Sequence, residues 1–156
     1  MMASALLAPG SSPHLSVLMI CPQFRPVIGG YERAAERLSA QLAAGGNDVS
    51  VVTFRLKPEW PKHESIMGFN IVRLWCLPFR GLSSATTAVS LLLYLTFHGR
   101  KFQVWHAHAV TPAVALAFMV ARVLGKKTVL KLPSSGPGGV QVAAREGMFG
   151  QLGITA

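Results

Sequence analysis

Five stretches of this chain carry apolar residues in the manner of strands, and three read as helices. Ser16 to Cys21 is a continuous apolar run. Tyr31 to Ala44 follows with helical spacing: Tyr31, Ala34, Ala35, Leu38 and Leu42 share one side, and Glu32, Arg33, Glu36, Arg37 and Gln41 the other. Gly45-Gly46 ends that helix. Val49 to Phe54 is a second strand, and Phe69 to Trp75 is a third with alternating faces. The intervening RLKPEWPKHES is polar and broken by prolines, and reads as a loop. Ala85 to His98 is a second helix and Gln103 to His108 a fourth strand. Thr111 and Pro112 open a third helix as cap and first-turn proline, and Gly125 closes it. Lys127 to Leu132 is a fifth strand, followed by a PSSGPGG loop and a tail without a strong pattern.

Strands alternating with helices predict an α/β fold: a Rossmann-like, doubly wound, mostly parallel sheet of about five strands with helices on both faces. The expected order is 3-2-1-4-5, with the switch point between the first and fourth strands. Only a loop leads into the Phe69 strand, which makes it the weak link. The domain is expected over 15–139, after a disordered leader at 1–14 and before a truncated tail at 140–156.

Composition narrows the partners. Of 156 residues, 51% are hydrophobic and 13% charged, which suits a heavily buried fold and excludes a charged disordered tail. The formal net charge is +9, from 15 Lys and Arg against 6 Asp and Glu, so anionic partners are favoured over cationic ones. No basic stripe interleaved with aromatics is present, so nucleic acid ranks last. Cys21 and Cys76 lie among apolar residues and read as buried thiols of a reducing cytoplasm. The opening residues lack a positive n-region, which argues against a signal peptide. The apolar run from Ala85 to Phe97 is too short to span a bilayer. It reads as a helix packed on the sheet, or as one lying on a membrane with Arg80, Arg100 and Lys101 at its flanks.

Gly29-Gly30 stands between the first strand and the first helix, at the carboxyl edge where doubly wound sheets bind ligands. Glycine lets backbone pass close to a ligand, and a helix N-terminus offers free N–H groups to an anion. Arg25 lies in the same loop. A tight turn without a ligand explains the pair equally. The pattern is neither G-x-G-x-x-G nor a Walker loop.

The stretch FRPVIGGYERAAERLSAQLAAGGNDVSVVT resembles the opening of the family-4 glycosyltransferases, of GT-B fold. PVIGGYE keeps the proline, both glycines and the Glu of the family loop. LAAGGNDVSVVT keeps the turn and strand, with Asn47-Asp48 where Gly-His is usual. FQVWHAHA is similar to the family's D-V-V-H-A-H, with Gln103 replacing the acid. The resemblance runs from about Leu15 to Gly139.

It implies a retaining enzyme that moves a sugar from a nucleotide-sugar to an acceptor, with no metal and no other cofactor. In that family the N-terminal domain holds the acceptor and its glycine loop approaches the donor diphosphate; a C-terminal domain holds the nucleotide and carries an E-x7-E motif. No E-x7-E occurs here, so the expectation is an acceptor half, inactive without a C-terminal domain or partner chain. By the same resemblance Gly29, Gly30 and Arg25 are the donor diphosphate residues. His106 and His108 match the HAH strand end; they share a strand face, and imidazoles titrate near neutrality, which suits acid–base work or contact with an acceptor hydroxyl. A two-His metal site is the rival, without an obvious third ligand. The family's His-Gly pair after the fifth strand is missing; Lys131, Ser134, Ser135 and Gly136 stand there and are the acceptor-side candidates. Expected partners are a nucleotide-sugar donor and a glycan or lipid-linked acceptor, at a cytoplasmic location that extends to an anionic membrane surface. The competing classes are a non-catalytic module for a phosphorylated or glycosylated ligand and a peripheral membrane protein without chemistry.

Overall fold

The computed structural model describes residues 14–27, 29–77, 79 and 82–131. The expected leader and the tail after 139 therefore fall almost wholly outside the described residues. Six strands form one sheet: β1 Ser16–Ile20, β2 Asp48–Arg55, β3 His63–Ile66, β4 Phe69–Trp75, β5 Val104–Ala107 and β6 Lys127–Leu130. Their spatial order is β3-β4-β2-β1-β5-β6. Among the described residues three helices accompany them, α1 Gly30–Ala44, α2 Leu82–His98 and α3 Pro112–Val123, with a 3-10 turn at Gly99–Lys101.

The five expected strands take the expected order and are parallel. The sixth corrects the expectation of about five. His63–Ile66, inside the stretch taken as loop, pairs antiparallel with β4 through a tight turn at Met67 and Gly68, both at positive φ. The connection from β2 to the parallel β4 thus overshoots to the sheet edge and returns as a hairpin, without a crossover helix. Arg73 of β4, nearly inaccessible to solvent, fastens this edge. Its guanidinium donates to the Glu64 carboxylate at 2.6 Å, to the Pro61 carbonyl at 3.1 Å and to the Arg25 carbonyl at 3.0 Å. A charge can be buried only with such a set of partners.

Two apolar layers result. On one face α1 lays Ala35, Leu38 and Leu42 on Val17, Met19, Val49, Val51 and Ile71. On the other, α2 and α3 cover Leu18, Ile20, Val52, Trp105 and Ala107 through Leu91, Leu95, Val114, Ala117 and Ala121. The local signals act as the sequence implies. The Thr111 hydroxyl accepts the Val114 N–H at 3.2 Å, with Pro112 in the first turn. Asn47 ties the end of α1 to the start of β1: its side chain donates to the Leu42 carbonyl and accepts the Leu15 N–H. Gln103 accepts the Ser16 N–H at 3.2 Å, so an uncharged residue anchors the first strand where the family places an acid.

Candidate functional site

Three parallel strands end side by side. Ile20 is in register with Ala107, and Ala107 with Leu130. One residue further, His108 N–H donates to the Ile20 carbonyl at 3.1 Å and Lys131 N–H to the Ala107 carbonyl at 2.8 Å. Cys21, His108 and Lys131 therefore stand in a row at the carboxyl edge. From this row the chain leaves β1 toward α1 on one face and leaves β5 toward α3 on the other. That divergence opens the crevice in which doubly wound sheets take ligands.

The two histidines come together as their spacing on one strand face implies. Their ring centroids are 4.4 Å apart with an interplanar angle of 29°. His106 is half-buried, whereas His108 is 1% exposed and neither of its ring nitrogens has a hydrogen-bond partner among the described residues. Burial pushes the His108 imidazole down to about 4, with the neighbouring His106 and the Lys131 ammonium adding to the effect. Burial and then Lys131 lower His106 as well. Both rings are therefore neutral at pH 7, each with one N–H donor and one acceptor nitrogen. A buried ring with both nitrogens unpaired is a hydrogen-bonding group poised for a small polar partner.

The N-terminus of α1 follows the β1 end of the same edge. Sequence pattern puts Glu32 on the charged side of this helix, yet the residue is 5% exposed, and Oε2 has no partner among the described residues. Glu32 is the third helical residue after the N-cap Gly29, the position from which a glutamate reaches back over its own helix end. A methyl group at Gly29 would collide with that Oε2, whereas one at Gly30 would meet no heavy atom within 4 Å. The doubled glycine thus has two separate uses. Gly29 makes room for a carboxylate of the protein itself; Gly30 leaves open space beside the unpaired N–H groups of the first turn. Gly29, with φ of −118°, is in ordinary extended backbone, so space and not strain is the reason for glycine there. Burial, reinforced by Glu32, pushes the Cys21 thiol and the Tyr31 phenol each up to about 12. At neutral pH Cys21 is a protonated, buried thiol and not a nucleophile.

Arg25 lies in this loop, but its guanidinium forms a two-pronged ion pair with Glu36 of α1, at 2.8 and 2.6 Å. It is joined to the helix side and not directed into the crevice by any free geometry. Lys131 stands beside the histidine pair, as its influence on both rings shows. Ser134, Ser135 and Gly136 lie outside the described residues. Sequence reading left two contributors without a role. One is Glu32, kept as the Glu of the loop motif but placed on the charged side of the helix by periodicity, although its position three residues after the N-cap was a usable signal. The other is a cavity of about 310 Å³ on the α2–α3 side of the same edge, lined by Gln23, Phe54, Ser83, Thr87 and Thr111 among others. Its hydroxyls come from the N-terminal part of α2 and from the N-cap of α3, which no contiguous motif announces. Among the described residues no group of three or more His, Cys, Asp or Glu side chains is placed to hold a metal ion.

A mostly parallel sheet with a switch-point crevice and a glycine-led helix defines a Rossmann-like α/β domain. The profile of the glycosyltransferase 4-like domain matches residues 29–149, and the chain belongs to that family. Among solved structures, sucrose-phosphate synthase from Thermosynechococcus elongatus is similar in fold, with a TM-score of 0.53 and 15% identity over 74% of this chain. This chain spans 32% of that synthase. A second sucrose-phosphate synthase structure from the same organism aligns with 89% of this chain and 100% of its own length, at a TM-score of 0.38 and 15% identity. The C-terminal domain of a hydrogenase from Pyrococcus furiosus aligns with 78% of this chain and 96% of its own length, at a TM-score of 0.47 and 14% identity. No curated protein matches the sequence.

Proposed function

We propose that this chain is the acceptor-binding half of a retaining glycosyltransferase. Joined to a donor-binding half, it transfers a sugar from a nucleotide-sugar to an acceptor hydroxyl, without a metal; by itself it does not turn over. Family membership supports the glycosyltransferase reading. The observation that carries the acceptor role is His108, buried at the switch-point crevice with neither ring nitrogen paired among the described residues.

The low basicity of His108 refines its role. A ring held near pKa 4 is neutral at pH 7 and a weak base, which favours orienting a hydroxyl by hydrogen bonds over removing its proton. Its acceptor nitrogen takes the hydroxyl proton in a hydrogen bond, and its N–H donates to a neighbouring oxygen. His106, stacked on it, fixes the plane of the ring. The open flank of Gly30 and the first-turn N–H groups of α1 face the donor diphosphate. Glu32 already places a negative charge at that helix end, so the donor's charge is met chiefly by Lys131 and the donor-binding half.

Calorimetric titration with simple glycans and with UDP-, GDP- and ADP-sugars, followed by transfer assays, tests this reading. Expected are glycan binding that His108→Ala weakens about tenfold, and no transfer by the chain alone. Unchanged glycan affinity in His108→Ala would remove the acceptor role. Turnover by the isolated chain would overturn the half-enzyme reading.

A further inference from the structure

The surface turned away from the sheet by α2 and α3 is unlike a solvated surface. On α2, Leu82, Val89, Leu93 and Phe97 are exposed, Phe97 at 76%; on α3, Leu116, Met119 and Val123 are exposed, Val123 at 85%. The exposed residues recur at helical spacing on each helix, and the helices pack side by side, so they form one field. Helix α2 contains no Asp, Glu, Lys or Arg. This uncharged helix buries only one side, through Leu91 and Leu95, and leaves large apolar residues bare on the other.

The helix ends beside this field are basic, with the acids Asp48 and Glu64 confined to the β4 side near Tyr94. Arg100 and Lys101 follow α2, and Arg122 and Lys126 end α3. Lys126 Nζ donates to the Arg100 carbonyl at 2.7 Å, which brings the two basic ends together beside Phe97 and Val123. No Asp or Glu occurs anywhere between Glu64 and Glu146. Against the groove beside α2 stand Trp75, 58% exposed, and the stacked Tyr94–His98 pair, an aromatic and amphipathic margin. No helix among the described residues is long and apolar enough to cross a membrane.

We infer that the outer side of the α2–α3 layer is a docking surface for an anionic lipid membrane. The apolar stripes enter the acyl boundary side-on, and Arg100, Lys101, Arg122 and Lys126 meet lipid phosphates. A second copy of the chain is the poorer occupant, because it would bring an equal basic rim against the first. The sheet edge that holds His108 is at the other end of the strands from this rim. The inference stands on surface chemistry and does not depend on the sugar-transfer reading.

Co-sedimentation of the protein with vesicles tests it, using pure phosphatidylcholine and phosphatidylcholine mixed with phosphatidylglycerol. Binding to the mixed vesicles, weakened by salt and by pure phosphatidylcholine, is expected. Leu93→Ser/Phe97→Ser/Val123→Ser should bind at least about tenfold more weakly while melting like the unaltered protein, since all three side chains are exposed. Arg100→Gln/Lys101→Gln should lose about fivefold for each cation removed. Absence of sedimentation with the mixed vesicles, or equal binding by the serine variant, would overturn the proposal. So would a dimer in analytical ultracentrifugation that the serine variant abolishes, since the field would then be an interface between copies.

Discussion

The two faces of the sheet are covered by helices of opposite kinds. Helix α1 sets alanines and leucines against β1 and β2 and turns Arg33, Arg37 and Gln41 outward. Helices α2 and α3 bury a larger core around Trp105 and still turn leucine, valine, methionine and phenylalanine outward. The first face meets the demands of folding in water and nothing more on its outer side. The second exceeds them, because folding does not require an apolar outer surface. The two candidate-site groups buried without a partner among the described residues, Glu32 and His108, lie on the α1 face instead. The candidate site and the apolar outer surface are thus divided between the two sides of one sheet.

The largest test of this division is in the cores. Trp105→Ala should lower the unfolding free energy by about 3–5 kcal/mol in urea titrations. Phe24→Ala, which removes the edge-on contact with Phe69 at 6.2 Å on the α1 face, should cost a similar amount. A large loss on one face alone would break the view that both are structural cores.

A second test separates the faces by pH. The folded-state pKa of His108 is depressed, so the unfolded chain binds the extra proton. Its stability contribution is complete above the ordinary value of 6.5 and is lost as pH falls toward about 4. The loss amounts to about 3 kcal/mol, with a further part from His106. Denaturant midpoints between those pH values should fall steeply in the unaltered protein and less in His108→Asn. An identical pH slope in the two would show that the titrating burden lies elsewhere.

Smaller still is the effect of Glu32→Gln. Removing a buried carboxylate with an unpaired oxygen should raise stability by about 1 kcal/mol, after the lost helix-end attraction is subtracted. A destabilised variant would mean that Glu32 supports the fold and not the site. The smallest effect belongs to the outer surface of α2 and α3, where Leu93→Ser and Val123→Ser should each stay within about 0.5 kcal/mol. A loss above that range would make the apolar field part of the core.

What was legible in the sequence follows the same physics. The parallel strands announced themselves because both of their faces are buried, as in β1 and β2, where nearly every residue is inaccessible. The β3 strand did not, because HESI is a half-exposed edge strand made by its partner β4 and by the Met67-Gly68 turn. The HAH pair was legible as two residues on one face; their stacking, and the drop in His108 basicity, depend on burial that only the assembled sheet provides. Glu32 was legible as the Glu of the loop motif, but amphipathic periodicity assigned it to the solvent side and hid its burial. Arg25 was read as free for a phosphate; its pairing with Glu36, eleven residues on, needs the turn between β1 and α1. The apolar run of α2 was legible as apolar, but the sequence could not show which of its sides the sheet would leave bare.

The central claim is that the switch-point imidazole of His108 orients an acceptor hydroxyl. Long-range nitrogen–proton NMR of the histidine rings reports it directly, at pH 7, as glycans are titrated in. The account predicts saturable shifts of the His108 and His106 ring nitrogens, with both rings remaining neutral, while His63 and His98 stay unmoved. Glycan binding seen elsewhere in the spectrum with the His108 ring unperturbed would contradict it.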